Sequence, residues 1–401
     1  MTETGNDRAL WLAHSAAPPP DAQALSLPSV CVTQELGGQI IAYCIPPSFN
    51  GNLLVYAHGY AAPQNPIALP SELALPEWQT LVELFLTMGY GFATASYSKN
   101  GLAIQQAEVD LLALVDYVKA QLPGGAVKRV LLAGVSEGGL ITTMMVEKHP
   151  DVFAGGLAMS GPLGGMPYQV DYMGDFRVVF DYLFPGIFGF GAVGVPEDAY
   201  LNWDAYAAAI TAGLEADPDK TKQLFSIRLA KASTVARDPA DRQATGLAGA
   251  LELLWYNIFG TPDAIATAGG QPYDNAHRFY WGCANIFALN ARVERDTPNP
   301  AARAYVREYY EPTGSLQVPL VTLHTTRDPV VPFRHETLYL ARAVAAGSAL
   351  KLVVLPIIRW GHSAFTPTDL LGGLGLLLLR TGALLHPRLQ RAMETLPEPL
   401  Q

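Results

Sequence analysis

The stretch LLAGVSEGGLITTMM, Leu131 to Met145, is an apolar run broken by a corner of glycines around one serine. Arg129–Ala133 has the unbroken apolar character of a buried strand, and from Leu140 to Lys148 apolar residues recur at helical spacing. The corner between them, Gly134-Val135-Ser136-Glu137-Gly138, fits G-x-S-x-G in the strand-to-helix context that this pattern requires. Glycine on both flanks permits a tight bend and close approach, while Ser136 at the apex must accept a strained backbone. Its hydroxyl then stands beside a helix N-terminus, whose amides favour developing negative charge.

A serine hydroxyl is a weak nucleophile at neutral pH and needs a histidine base, which an acid must orient. The chain has eight histidines. His362, in VVLPIIRWGHSAFTPTDLL, follows an apolar strand and precedes a helix start with Thr366 as N-cap, Pro367 in the first turn and Asp369 three residues after the cap. That places it on a loop at the carboxyl edge of the sheet, where Ser136 emerges. His324 falls inside a strand, His149 ends a helix, His335 begins one, and His277, His14 and His386 lie in an insertion or the tails. For the acid, Asp328 follows the strand of VPLVTLHTTRDPVVP, and Pro329 turns the chain away. The competing position after GGLAMSGP offers no carboxylate before Asp171. Two amides are expected to hold an oxyanion: that of Glu137, and that of Tyr60 in LLVYAHGYAAP, where Gly59 lets the chain turn. His58 is expected to hold that loop rather than to act as a base. Tyr60, Ala61 and Trp360 are the candidate substrate contacts. Arg327 and Arg359 flank the two loops, and surface ion pairs are the expectation for both.

Working outward, strands are expected at 30–34, 39–45, 52–57, 91–96, 129–133, 156–159, 318–324 and 351–356, mostly as unbroken apolar runs suited to burial on both faces of a parallel sheet. EWQTLVELFLTMG, IQQAEVDLLALVDYVKAQL, LITTMMVEKH and HETLYLARAVAAG lie between them with helical periodicity. The alternation implies a doubly wound, mostly parallel α/β sheet behind an N-terminal antiparallel hairpin. It lapses between Leu163 and Thr313, where TKQLFSIRLAKAST and LAGALELLWYNIF suggest helices and 23 of the 39 aromatic residues collect. The expected organisation is an N-terminal extension, 1–28, a core of 29–162 and 314–401, and a helical cap, 163–313, whose aromatics mostly pack against one another, with a minority lining an apolar pocket.

With 50% hydrophobic and 15% charged residues, 401 residues suffice for one large α/β domain with an insertion. A net charge of -10 leaves no basic field for a phosphate backbone, so nucleic acid is not an expected partner. The longest apolar run, Leu370–Leu379, contains three glycines and falls short of the roughly 18 residues that suggest a membrane span. The N-terminus lacks the basic n-region of a signal peptide, so a cytoplasmic protein is expected unless a leader has been removed. Three cysteines form no framework. A turn at Gly37-Gly38 would nevertheless set Cys31 opposite Cys44 on a non-hydrogen-bonded rung, where Cα atoms come within about 4.5 Å. A bridge there would favour export; two free buried thiols are the alternative.

AHGY, GVSEGG, TTRDPVVP and RWGHSAF, in this order, resemble the α/β-hydrolase superfamily and specifically its lidded serine esterases and lipases, over about Val30 to Leu385 apart from the cap. The order Ser136, Asp328, His362 matches that family's triad. The resemblance implies ester hydrolysis through an acyl-enzyme, with no metal or organic cofactor. The HGY loop is also similar to that of cutinase-like polyester hydrolases, which implies that Tyr60 supplies an oxyanion amide and its ring clamps the acyl part. Those enzymes lack a cap of this size. The tannase and feruloyl esterase group has a lid of similar scale but carries cysteines where this chain has Val135 and Gly361. The expected substrate is a hydrophobic, aromatic or polyester carboxylic ester, small or polymeric. Three rivals stand beside it: an aminopeptidase or amidase, given 18 acidic against 12 basic residues in the cap, an acyltransferase, and a binding module without catalysis.

Overall fold

The computed structural model describes residues 27–227, 241–383 and 385–400. The expected N-terminal extension therefore lies almost wholly outside the described residues, as do His14 and the second half of TKQLFSIRLAKAST.

Eight strands form one sheet: β1 (Cys31–Leu36), β2 (Gln39–Cys44), β3 (Asn52–Ala57), β4 (Gly91–Ala95), β5 (Arg129–Val135), β6 (Gly155–Met159), β7 (Leu320–Arg327) and β8 (Leu352–Trp360). Their order is β1-β2-β4-β3-β5-β6-β7-β8. From β4 to β8 every pairing is parallel, and β2 alone runs against its neighbours. The strand bounds differ from expectation chiefly at carboxyl ends. β7 and β8 run on through Arg327 and Trp360 because they remain paired there, across a bulge between Thr325 and Arg327.

The strands are apolar on both sides because both sides are covered. Leu53, Val55, Val130 and Leu132 join one core, whereas Leu54, Tyr56, Leu131 and Ala133 join the opposite one. Helices α2 (Ile104–Ala120) and α3 (Glu137–Lys148), with α10 (Arg334–Ala345), contribute to the first core. Helices α1 (Pro76–Thr87), α11 (Pro367–Arg380) and α12 (Pro387–Met393) contribute to the second. At the β8 edge Leu400 forms an antiparallel bridge with Val354, which partly occupies an otherwise open edge.

Between β6 and β7 the chain builds α4 (Met166–Leu183), α5 (Trp203–Ala216), α6 (Pro218–Leu224), α7 (Arg242–Ala268), α8 (Ile286–Arg292) and α9 (Pro300–Tyr310). Most of this insertion has its own core, in which Phe180, Phe184 and Phe188 meet Trp255 and Phe259. Buried Arg177 ties that core together. It pairs with Asp181 at 2.8 Å, donates to Asn257, and lies 3.9 Å over the Phe188 ring. Helix α9 behaves differently, since Ala302, Val306 and Tyr310 pack into the sheet's first core. A buried ionic network holds the insertion's ends together: Asp171 binds Arg303 and Arg278 at 2.8 and 2.9 Å, and Asp175 binds Arg278 at 2.5 Å. Asp171 is thereby committed to structure.

Candidate active site

Ser136 has φ 58°, so this non-glycine residue occupies the left-handed region at the turn from β5 into α3. The flanking glycines are sterically required. A Cβ on Gly138 would stand 2.0 Å from the Ala57 carbonyl oxygen, and one on Gly134 would stand 2.1 Å from that of Gly138. The helix starts at Glu137, three residues earlier than its apolar periodicity indicates, because two glycines fill its first turn. The Ser136 amide donates to Met159 O at 2.8 Å, which pins the corner to β6.

The structure brings together Ser136, His362 and Asp328. Ser136 Oγ lies 2.9 Å from His362 Nε2, and His362 Nδ1 lies 2.8 Å from Asp328 Oδ2. Donation of Nδ1–H to the carboxylate leaves Nε2 to accept the serine proton. Asp328 is fixed through its other oxygen, which accepts the amides of Val330 and Val331 at 2.9 Å each. Helix α4 supports that loop: Gln169 donates to Val330 O at 2.7 Å and Tyr172 to Pro329 O at 2.8 Å.

The His362 loop is held at both ends. Gly361 (φ 111°) follows β8, and its carbonyl accepts the Thr325 hydroxyl at 2.6 Å. Thr366 and Asp369 close a capping box at the start of α11. Arg359 donates to Ala364 O at 2.5 Å and pairs with Asp369 at 2.8 Å, so it braces the loop.

Tyr60 and Glu137 both line a cleft at Ser136 whose empty volume, mouth included, is about 830 Å³. Neither of their amides donates to another group among the described residues. Gly59 serves closeness rather than the turn, for its φ is not left-handed and an added Cβ would lie 3.2 Å from Ser136 Cβ. His58 spans the Gly59 and Ser96 carbonyls at 2.7 and 3.1 Å and stacks on Tyr97. Burial lowers its pKa. Ala61 and Trp360 are not in the cleft wall. The Ala61 carbonyl is engaged by the Gly101 amide at 2.7 Å, and Trp360 is a buried strand residue paired with Arg327. Arg327 and Arg359 do not line the cleft either.

The wall is mainly apolar, with Met166, Val170 and Met173 from α4 facing Ala264 and Ile265 from α7, and it contains no Lys or Arg. Acidic groups surround it. Burial pushes the Glu137 carboxyl up to about 8, with Asp263 adding to the rise, although the Ala103 amide donates to it at 2.9 Å. Burial likewise pushes Glu252 up to about 7, with His362 opposing and Asp328 adding.

Three residues of the site were not singled out from the sequence: Glu252, Tyr256 and Asp263, all on α7. Tyr256 lines the cleft, and its hydroxyl interacts with Ser136. The spacings of four and seven put them on one face of a largely apolar helix, and that shared face is the signal that marks them. Among the described residues no group of His, Cys, Asp and Glu is arranged to hold a metal ion.

Residues 87–171, from the end of α1 through the Ser136 corner into α4, match the model of the Prolyl oligopeptidase family. No curated protein matches the chain by sequence. Among solved structures, the chain is similar to an acylaminoacyl peptidase of Pyrococcus horikoshii, with 11% identity over 83% of this chain and a TM-score of 0.42. It spans 37% of that peptidase's length. An esterase of Pyrococcus furiosus is similar at 13% identity, with 91% of this chain and 95% of the other covered and a TM-score of 0.45. Lipase A of Candida antarctica is similar at 15% identity, with 81% and 69% covered and a TM-score of 0.39. These likenesses are distant, and the decisive features are the chain's own sheet order and the strained serine between β5 and α3. By that topology, the chain has the α/β-hydrolase fold.

Proposed function

We propose that the chain is a serine hydrolase of hydrophobic, uncharged carboxylic esters. The observation that carries this is the unbroken hydrogen-bonded line from Ser136 through His362 to Asp328 at the floor of an apolar cleft. Ser136 Oγ attacks the ester carbonyl while His362 Nε2 takes its proton. The amides of Tyr60 and Glu137 hold the oxyanion of the tetrahedral intermediate. His362 then gives the proton to the departing alcohol, leaving an acyl-Ser136 ester, and a water activated by the same nitrogen releases the acid. Asp328 stays ionised throughout and holds the imidazole in the tautomer the cycle needs. Residues 163–313 act as the cap over this site. The apolar wall that Ser136 shares supports a small hydrophobic ester, or the end of a longer chain, as the occupant.

A second reading has one observation in its favour. The cleft wall contains no Lys or Arg, so no fixed positive charge there opposes a substrate bearing an ammonium group, such as an aminoacyl ester or amide. Rates on p-nitrophenyl esters and on aminoacyl p-nitroanilides separate the two readings. The test of the shared mechanism is Ser136→Ala, which is expected to lower turnover by about 10⁴-fold or more and to abolish labelling by a fluorophosphonate. Undiminished turnover by that variant would defeat it.

A further inference from the structure

Four segments far apart in sequence close a hydrogen-bonded circuit beside Ser136. In the turn that leads from β4 into α2, three successive amides each donate to a different element. Gly101 N–H goes to Ala61 O at 2.7 Å, Leu102 N–H to Asp263 Oδ2 at 2.7 Å, and Ala103 N–H to Glu137 Oε1 at 2.9 Å. The turn thus touches the Tyr60–Ala61 loop, helix α7 and the serine corner at once. The circuit closes through the Tyr60 side chain, whose hydroxyl donates to Phe259 O on α7 at 3.3 Å and interacts with the Asp263 carboxylate.

The turn is shaped around Asp263. Gly101 has φ +80°, and a Cβ there would lie 2.5 to 2.7 Å from the Asp263 carboxylate. Helix α7 carries Pro262 immediately before it, so the ladder there lacks one N–H. Asp263 itself is buried and does not line the cleft, so it touches no substrate atom. Two of the groups it holds reach the cleft, since Leu102 and Tyr60 are both in the wall; the third, the Thr267 hydroxyl at 3.3 Å, does not.

We propose that Asp263 is a positioning residue for the oxyanion loop. By accepting the Leu102 amide and holding the Tyr60 hydroxyl, it makes placement of the Tyr60 N–H depend on α7 being seated, so that the insertion as well as the sheet builds the oxyanion hole. This rests on the reading above, in which the Tyr60 amide is one oxyanion donor. A donor displaced by about 1 Å can cost a factor of about 100 in rate, and a buried N–H that loses its acceptor is strongly driven to rearrange.

The test measures kcat per active site, titrated with a fluorophosphonate, and KM for one p-nitrophenyl ester. Asp263→Ala is expected to lower kcat per site by at least tenfold with KM within threefold. Asp263→Asn, which keeps an acceptor oxygen for the amide and the hydroxyl, is expected to recover kcat to within threefold of the parent. In a Tyr60→Phe background the further loss from Asp263→Ala should be smaller than in the parent, since both changes cut the link through the Tyr60 hydroxyl and only the Leu102 link is left to lose. Where Asp263→Ala is not recovered in soluble form, Tyr60→Phe alone reads the link and should lower kcat per site. An unchanged kcat per site in Asp263→Ala or Tyr60→Phe overturns the assignment, as does an undiminished loss in the double variant. Turnover that survives Ser136→Ala removes the oxyanion reading itself, and this assignment with it.

Discussion

His324 Nε2 lies 3.6 Å from Asp328 Oδ2, the same oxygen that faces His362 Nδ1. Its Nε2 also faces Val331 O at 2.8 Å, and its Nδ1 faces Glu336 Oε1 at 3.0 Å, while Glu336 Oε2 accepts the Thr322 hydroxyl at 2.6 Å. Both ring nitrogens thus meet oxygen acceptors, which suits an imidazolium. Burial alone would lower the pKa of His324, but the bond and charge of Glu336 and the charge of Asp328 outweigh it, and the net shift is upward. That arrangement favours a buried imidazolium between Glu336 and Asp328, behind the proposed acid.

The spectroscopic expectation is that nitrogen-15 spectra at pH 7 show both ring nitrogens of His324 protonated. His324→Gln is expected to lower kcat by about tenfold, because truncating a buried charge pair leaves Asp328 beside an unbalanced Glu336. A raised folded pKa means that the stabilisation is complete below about pH 6.5, the unfolded value, and is lost as pH rises through the folded one. The stability difference between parent and His324→Gln should therefore shrink at alkaline pH. A pH-independent difference would count against the charged form.

Glu137 predicts a pH effect of the same sign for a different reason. Burial holds its carboxyl at about 8, so the folded protein keeps a proton that the unfolded chain releases near the ordinary glutamate value. Stability should fall as pH rises between about 4.5 and 8, and Glu137→Gln should flatten that slope. Some slope remains, because burial also raises Glu252 and Asp175, to about 7 and about 6. Urea midpoints at pH 5, 7 and 9 for both proteins test this, and parallel curves would refute it.

The sheet and the three residues Ser136, Asp328 and His362 stand out in the sequence for a common reason. Buried parallel strands are continuous apolar runs, and the loops that end them are marked by glycine and proline, so Gly134, Gly138, Pro329 and Gly361 flag the carboxyl edge. Helix α7 stands out much less. Glu252, Tyr256 and Asp263 share a face, but on a lone helix a polar face signifies solvent, and only the packed insertion turns it toward Ser136. Ala61 and Trp360 fail as cleft residues for the converse reason: each lies within two positions of a site residue, and strand or turn geometry sends it elsewhere.

Cys31 and Cys44 are bonded across the first rung of the β1–β2 pair, with Cα atoms 4.0 Å apart. β1 is an edge strand with no fully buried residue, and the bridge supplies an attachment that its packing does not. Unfolded but unreduced protein should titrate one thiol, Cys283, and reduced protein three. Replacing both bridged cysteines by serine should cost about 2 to 3 kcal/mol for a loop of this length. β1 lies four strands from β5 in the sheet, so kcat per active site should be unchanged. Three titratable thiols before reduction would exclude the bridge.

The cleft wall formed by Val193 and Ile265 sets the last expectation, that acyl length is limited from the insertion side. Each methylene taken from water into an apolar wall is worth about 0.8 kcal/mol, or roughly fourfold in kcat/KM, until the chain meets the end of the cleft. Along a series of p-nitrophenyl esters from acetate to dodecanoate, kcat/KM should therefore climb and then break. Val193→Trp places an indole in the wall and should move the break to shorter chains, lowering the octanoate-to-acetate ratio by at least tenfold. The ratio is the informative quantity, because loss of folded protein or a disturbed triad scales both esters alike. If Val193→Trp left it unchanged, the acyl chain would not run past Val193, and the apolar wall would belong to the alcohol side of the ester.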